Sequence, residues 1–389
     1  MREGSSHRDE MEGFCVSSSV PVALAHDYLT QRGGAERVAA ILAEAFPGAP
    51  LYTTLYEPDA TFDDFRSLPV RTSMLNRVAA FRKDHRLALP FYAPVVSGLS
   101  VDADVLLASS SGWAHGIACT GRKVVYCHAP ARWLYQTDRY VGADEPGVSA
   151  RLRRAAMRSS LAVLAPSLRA WDRRQAHRAD RYLVNSTVIR QMVEDVYGIE
   201  AEVLPPPPAL EVQGRVEAVE AIREPFVLCV ARLLPYKNVD KVIAAVRGID
   251  GLSLAVVGRG PDRARLQELV GGDSSIHLLD GVSEESLRWL YRHALGLVAA
   301  SYEDFGLTPL EASSFGKPTA ALHAGGYLDT ISEGVNGLYF ESADADSVAS
   351  GVTQLINRSW DVVAITSHAD YFGKQRFCAR IRDVVASLS

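Results

Sequence analysis

The sequence has no C-x-x-C pair, no Walker A run, no H-E-x-x-H and no Ser-His-Asp signature that can be placed. These gaps argue against zinc-ribbon, dithiol-redox, P-loop and zincin chemistry. Its five cysteines (Cys15, Cys119, Cys127, Cys229, Cys378) are scattered, which fits reduced thiols in a cytosolic protein better than a disulfide framework. No apolar run approaches the roughly 18 residues of a membrane span. The longest candidate, Leu87 to Leu99, is too short and holds two prolines. Residues 1–19 lack an apolar core and read as a disordered leader, not a signal peptide. Positive charge is not in excess either: the formal net charge is −5, which argues against general nucleic-acid binding.

What is present is a long α/β alternation. A chain of 389 residues exceeds one ordinary core and implies two domains. In the first half, short buried strands are expected at Val20 to Ala25, Pro50 to Thr54, Asp104 to Ala108, Lys123 to Cys127 and Tyr182 to Val184, with helical stretches between. That order predicts a doubly wound parallel sheet. Four consecutive prolines, Pro205 to Pro208, then open a polar stretch ending at Glu224-Pro225, which reads as a stiff linker. The alternation restarts at Phe226 to Val230 and Leu252 to Val257, and continues at Ile276 to Leu279, Ala294 to Ala300, Thr319 to Leu322 and Gly337 to Phe340. A last helix is expected over about Lys374 to Leu388.

Polar chemistry collects in the loops after these strands, where open α/β sheets bind ligands. Gly33-Gly34 joins the first strand to a helix start, a ready anion site, although a glycine pair is equally a tight connection. Tyr126-Cys-His128-Ala-Pro-Ala-Arg132-Trp133 can form a substrate wall, or His128 can be a hydrogen-bonded loop histidine. Asp102-Ala-Asp104 lies at a strand's start, away from that rim, and reads as structural. Arg232 and Lys237 follow one strand and can reach one anion together. The stretch Ser301-Tyr-Glu303-Asp-Phe305-Gly306-Leu307-Thr308-Pro309-Leu310-Glu311 runs from a strand into a helix. Thr308 to Glu311 has the form of a capping box, with Asn238 a second N-cap candidate. Glu311 can instead accept two ribose hydroxyls, while Glu303 and the amides of Gly325-Gly326 can read hydroxyls of a sugar. These residues together suggest a nucleotide diphosphate carrying a polyhydroxylated group. The nine arginines between Arg151 and Arg181 read as a solvated helix face, with a membrane-surface or nucleic-acid patch as the alternative.

From about Val22 to Phe377 the chain resembles the retaining glycosyltransferases of family 4, in their mannosyltransferase-like branch. The E-F-G-x-x-x-x-E signature stands as Glu303-Asp-Phe-Gly-Leu-Thr-Pro-Leu-Glu311, with one residue inserted. Tyr126-Cys-His-Ala-Pro130, Val184-Asn-Ser186, Tyr197-Gly198, Val203-Leu-Pro-Pro206 and Gly325-Gly-Tyr327 accompany it in order. The leader before Val20 and the stretch Tyr371 to Phe377 depart from the pattern.

The resemblance implies a GT-B fold: two Rossmann-like domains facing a cleft, with a C-terminal helix crossing back to the N-terminal domain. It divides the chain into an acceptor-binding domain (20–205), a linker (206–224), a nucleotide-sugar domain (225–370) and a returning helix (371–389). It implies a metal-independent hexosyltransferase that needs no cofactor beyond its nucleotide-sugar co-substrate, with mannose from GDP-mannose the leading donor. Arg232 and Lys237 would neutralise the diphosphate, met by Gly33 and Gly34 from the other domain. Glu311 would bind the ribose. Glu303, with amides around Phe305, Gly306 and Leu307, would hold the sugar, and His128 would lie beside the reacting centre. A UDP- or dTDP-sugar with a small-molecule acceptor, an epimerase, and a non-catalytic binder stay open. Localisation is expected in the cytoplasm, with peripheral contact to an anionic membrane; no nucleic-acid partner is implied.

Overall fold

The computed structural model describes residues 22–136 and 164–388. The expected leader, and the arginine-rich stretch up to residue 163, lie outside them.

Two parallel sheets carry the chain. The first has seven strands in the order Val70–Thr72, Leu51–Thr53, Val22–His26, Val105–Ser110, Arg122–Cys127, Arg181–Val184, Glu202–Val203. The second has six, in the order Ile276–Leu279, Ser253–Val257, Phe226–Val230, Leu297–Ala299, Thr319–Leu322, Gly337–Phe340. Central strands such as Val105–Ser110 are buried along their whole length, as expected of a sheet covered by helices on both faces. Two parallel sheets of this kind are what the family resemblance implied.

Three expectations need correction. Ala294 to Ala300 is strand only over Leu297–Ala299, because the helix Glu284–His293 runs almost up to it. Val70–Thr72 and Glu202–Val203 went unread: at three and two residues they are too short to show a period of two. The proline-rich connection has no helix or strand, yet it is not a free spacer. Leu210 and Ile222 are buried with Phe226, Leu228, Leu290 and Tyr291, so the segment is part of the second domain's core.

The C-terminal helix Lys374–Ala386 lies on the first domain. Its Phe377, Ile381, Val384 and Val385 pack with Val38, Ile41 and Leu42 of helix Gly34–Ala45. Arg382 Nε donates to the Ala45 carbonyl at 2.9 Å, and Arg380 pairs with Glu202 at 2.7 Å. The chain thus crosses from the second domain back to the first. Asp102 Oδ1 accepts from Thr120 Oγ1 at 2.9 Å, which fits the structural reading of that dipeptide pattern.

Candidate active site

Each sheet reverses its winding at one place, and loops on both sides of such a place diverge to leave a crevice. In the second sheet this lies between Phe226–Val230 and Leu297–Ala299. The loop after the first carries Arg232 and Lys237, and the loop after the second carries Glu303. In the first sheet the reversal lies between Val22–His26 and Val105–Ser110. Gly33-Gly34 follows the first of these strands, and Ser109 and Ser110 end the second, with Ser111 just beyond.

Lys237 closes a short 3₁₀ turn, Pro235–Lys237, and its ammonium is bound to Glu303 Oε1. Ser301 Oγ donates to the same oxygen at 2.6 Å. Separate duties were expected of these two residues; the fold makes them one ion pair. Arg232 is exposed on the same loop and has no ion pair or hydrogen bond from its side chain among the described residues. Its charge is close enough to His85 of the first domain to add, after burial and Arg86, to the depression of that ring's pKa to about 4. Gly258 and Gly260 permit this loop arrangement: a side chain at either would strike the backbone of Ala231 or Leu233. Asn238 stands at the start of helix Val239–Arg247 but makes no side-chain cap; its Nδ2 donates to the Ala300 carbonyl at 2.8 Å, tying the two loops together.

Glu311 is not a capping residue. The helix is Leu307–Ser314, with Gly306 at the N-cap in a left-handed conformation (φ 89°). Thr308 therefore falls at the second helical position and Glu311 at the fifth. Pro309 is tolerated at the third, where its missing N–H is one the helix would leave unpaired anyway. Glu311 is buried instead, with Tyr291 Oη donating to its Oε2 at 2.8 Å. Burial raises its pKa against the opposing pull of Tyr291, of Arg37 from the other domain and of the Ala209 amide.

The glycines hold the loop more than they line it. A side chain at Gly306 would strike Tyr327, and one at Gly325 or Gly326 would strike the backbone of Glu303 or Phe305. The Gly326 N–H is donated to the Glu303 carbonyl at 2.8 Å, so it is not free for a sugar. The Phe305 side chain is core, packed with Leu310 and Phe372. Helix Leu307–Ser314 nonetheless points its N-terminus at the crevice rim, where the first-turn N–H groups lack intrahelical partners. A Cβ on Gly34 would lie 3.3 Å from Leu307 Cδ1, so the two helix starts, Gly34 and Leu307, approach each other across the cleft.

His128 is buried at 6% exposure, donates its N–H to the Ser110 carbonyl at 2.8 Å and accepts at its carbonyl from Asn185. Burial, with the nearby His26 and Arg132, depresses its pKa to about 3, so the ring is neutral over the working range. Its Nε2 lies 2.8 Å from Ser109 Oγ, which lies 3.0 Å from His26 Nδ1. The aromatic substrate wall is corrected. Tyr126 is fully buried with its hydroxyl on the Leu204 carbonyl, and Trp133 is buried and stacked on Trp113 at 4.4 Å.

Several cleft residues escaped the sequence. Asp27 gathers the amides of Ser111, Trp113 and Ala114 and so folds the loop after the central strand. Among the described residues, four residue pairs bond across the cleft. Arg132 pairs with Asp304, and Ser186 Oγ donates to the Asp304 carbonyl. Asp329 accepts from the Thr187 N–H and Oγ1, each at 2.7 Å, and Arg37 pairs with Glu284 at 3.3 Å. An acid or a hydroxyl whose partner lies in another domain has no local sequence signal. In the described part of the arginine-rich stretch, Arg169 and Arg178 bond to Leu134 and Gln175. No described helix is long and apolar enough to cross a membrane.

Residues 215–374 match the family described as Glycosyl transferases group 1. A GDP-mannose-dependent alpha-(1-6)-phosphatidylinositol monomannoside mannosyltransferase of Mycobacterium tuberculosis is 30% identical over 176 residues, covering 41% of this chain and 45% of that protein. A D-inositol 3-phosphate glycosyltransferase of Mycolicibacterium smegmatis is 28% identical over 214 residues, covering 50% of this chain and 49% of that protein. The alignments thus span about half the length of these curated relatives. Among solved structures, sucrose-phosphate synthase from Thermosynechococcus elongatus superposes with TM-score 0.66 at 17% identity, over 95% of this chain and 99% of that one. HepE of Anabaena, in complex with UDP and glucose, superposes with TM-score 0.67 at 16% identity, over 95% and 100%.

Proposed function

We propose that this chain, in which residues 215–374 are a Glycosyl transferases group 1 domain within a GT-B-type fold, is a retaining glycosyltransferase. It moves a hexose from a nucleotide diphosphate sugar to a hydroxyl of a saccharide-containing acceptor. The observation that carries this reading is the pairing of Lys237 with Glu303 at the reversal of the second sheet. The N-terminus of helix Leu307–Ser314 lies beside that pair, and the start of helix Gly34–Ala45 lies opposite.

In the reaction the anomeric C–O bond to the diphosphate breaks and a new C–O bond forms to the acceptor oxygen. The acceptor's proton passes to the leaving phosphate oxygen on the same face, so the configuration is retained without a carboxylate nucleophile. Arg232 and Lys237 stabilise the departing negative charge, assisted by unpaired helix amides; preorganised donors of this kind are the main source of such rate enhancement. On binding, the diphosphate takes Lys237 from Glu303, and the released carboxylate turns to the sugar's hydroxyls. Glu311 takes the ribose hydroxyls. Because side chains and helix ends serve the phosphates, no metal is required, and activity persists in excess chelator.

Mannose from GDP-mannose is the proposed donor, supported by the relatives so described. Incubation with GDP-mannose, UDP-glucose and dTDP-glucose, with and without oligosaccharide acceptors, tests the reading by release of nucleoside diphosphate. GDP release that depends on acceptor supports it. A sugar epimer formed from donor alone would replace it with an epimerase.

The acceptor is proposed to be met at an anionic membrane surface. Support comes from residues 74–91, not from the arginine-rich stretch. Met74 and Phe91 are 70% and 48% exposed, with Val78 and Leu87 exposed between them. Arg77 and Lys83 are exposed on the same segment, whose His85 stacks on Tyr28 at the cleft. Co-sedimentation with phosphatidylglycerol vesicles but not phosphatidylcholine vesicles is expected, and equal recovery with both, or with neither, would overturn this part.

A further inference from the structure

A buried polar chain runs behind the cleft, and the transfer proposed above assigns none of its members a role. Glu36, His26, Ser109 and His128 are 2%, 1%, 1% and 6% exposed. His26 and Ser109 are register partners on adjacent parallel strands, which sets their side chains side by side at the strands' carboxyl ends. Ser109 Oγ stands between two imidazoles, 3.0 Å from His26 Nδ1 and 2.8 Å from His128 Nε2. The other nitrogen of His26 faces Glu36 Oε1 at 4.0 Å. Gln31 Nε2 donates to that carboxylate oxygen at 2.8 Å, while Glu36 Oε2 is buried with no hydrogen-bond partner among the described residues. Buried polar groups of this kind are costly, and a partly satisfied network persists where function holds it.

Proton counting leaves two arrangements. A serine hydroxyl has one proton to give, and a neutral imidazole has one N–H and one acceptor nitrogen. In the first arrangement His26 Nδ1–H donates to Ser109, Ser109 donates to His128 Nε2, and His128 keeps its proton on Nδ1. In the second every bond is reversed: His128 Nε2–H donates to Ser109, Ser109 donates to His26 Nδ1, and His26 carries its proton on Nε2. Glu36 distinguishes them. It sits in the first turn of helix Gly34–Ala45, where the helix dipole favours a negative charge. A carboxylate near His26 Nε2 attracts a proton there and opposes a lone pair.

We infer that Glu36, His26 and Ser109 are positioning residues that fix His128 as the Nε2–H tautomer, presenting its Nδ1 as a hydrogen-bond acceptor toward the cleft. Among the described residues Nδ1 has no hydrogen-bond partner. It is therefore suited to receive a hydroxyl proton donor from the bound sugar, and unsuited to donate to an oxygen. Its neutrality is secured by burial, which keeps the ring uncharged well below neutral pH. The role toward the sugar rests on the glycosyltransferase reading. The tautomer does not, because it is a property of the free protein.

The test is a long-range ¹H–¹⁵N correlation spectrum of the full chain labelled at histidine nitrogen, with His128 assigned by the cross-peaks lost in His128→Gln. The expected result is an unprotonated Nδ1 and a protonated Nε2 for His128, with the pattern moving toward Nδ1–H in Glu36→Gln. Ser109→Ala, which cuts the chain, is expected to abolish the fixed tautomer and give averaged shifts. A protonated Nδ1 in the wild type would overturn the inference, and so would an Nε2–H pattern unchanged in both variants. Should Ser109→Ala unfold, the isosteric Glu36→Gln alone decides. If these shifts come out as expected while no nucleotide sugar is turned over, the tautomer stands and the functional reading falls.

Discussion

The ammonium of Lys237 is bound to the carboxylate of Glu303, which also accepts from Ser301 at 2.6 Å. Each group so holds the other in place before any ligand arrives. A diphosphate must compete for the lysine, so binding and the freeing of Glu303 are coupled.

Lys237→Ala and Arg232→Ala should therefore differ in kind. Each is expected to lower turnover by roughly 10²-fold, as for loss of a donor aimed at developing charge. Arg232 is exposed and unpaired among the described residues, so its loss should leave stability within about 0.5 kcal/mol. Lys237→Ala leaves Glu303 without its cation and should also lower the melting temperature. Initial rates and thermal melts on the two variants check both halves.

Glu311→Gln separates a ligand role from a structural one. Glutamine can still accept from Tyr291, and it removes a carboxylate whose pKa burial has raised. For an acid with a raised folded pKa, ionisation weakens the fold above that pKa, and the cost is relieved as pH falls through it. The variant is thus expected to be as stable as wild type, or more so, near neutral pH. Nucleotide affinity should fall about tenfold or more, the scale of a hydrogen bond to a charged group. Calorimetric titration with GDP alongside a melt reads both.

Acid should loosen the first domain through its histidines. His128 and His85 have folded values of about 3 and about 4, below the ordinary 6.5. The unfolded chain binds these protons first, so stability is full above pH 6.5 and is lost progressively as pH falls toward the folded values. Urea midpoints measured from pH 7 to pH 4.5 should decline, and His128→Gln should flatten the decline.

Asp172 tests an unrelated part of the core. Tyr135 and Tyr197 each donate a hydroxyl to its Oδ2 at 2.8 Å, and the acid is fully buried. Asp172→Ala strands two hydroxyls and should destabilise by about 3 kcal/mol, at 1–3 kcal/mol for each unsatisfied group. Denaturant unfolding measures it.

The sheet alternation and the placing of the polar loops at strand ends could be read from the sequence, because each rests on local periodicity or punctuation; the return of the last helix was implied only by the family resemblance. The form of the site could not. Thr308-Pro309-Leu310-Glu311 satisfies every local rule for a capping box, yet Gly306 alone can take the left-handed turn beside Tyr327 and starts the helix two residues early. Tyr126 and Trp133 looked like a wall because sequence shows residue type but not which side of a loop is packed. Asp304 and Asp329 carry no local signal at all, since Arg132 and Thr187 reach them from the opposite domain.

The most direct test is a thermal-shift measurement of the full chain with GDP-mannose, UDP-glucose and dTDP-glucose, repeated on Arg232→Ala. GDP-mannose is expected to stabilise the chain most, by about 2.7 kcal/mol at 100 times its Kd, with the shift largely lost in the variant. No shift with any of the three at millimolar concentration, or an equal shift in wild type and variant, would contradict it.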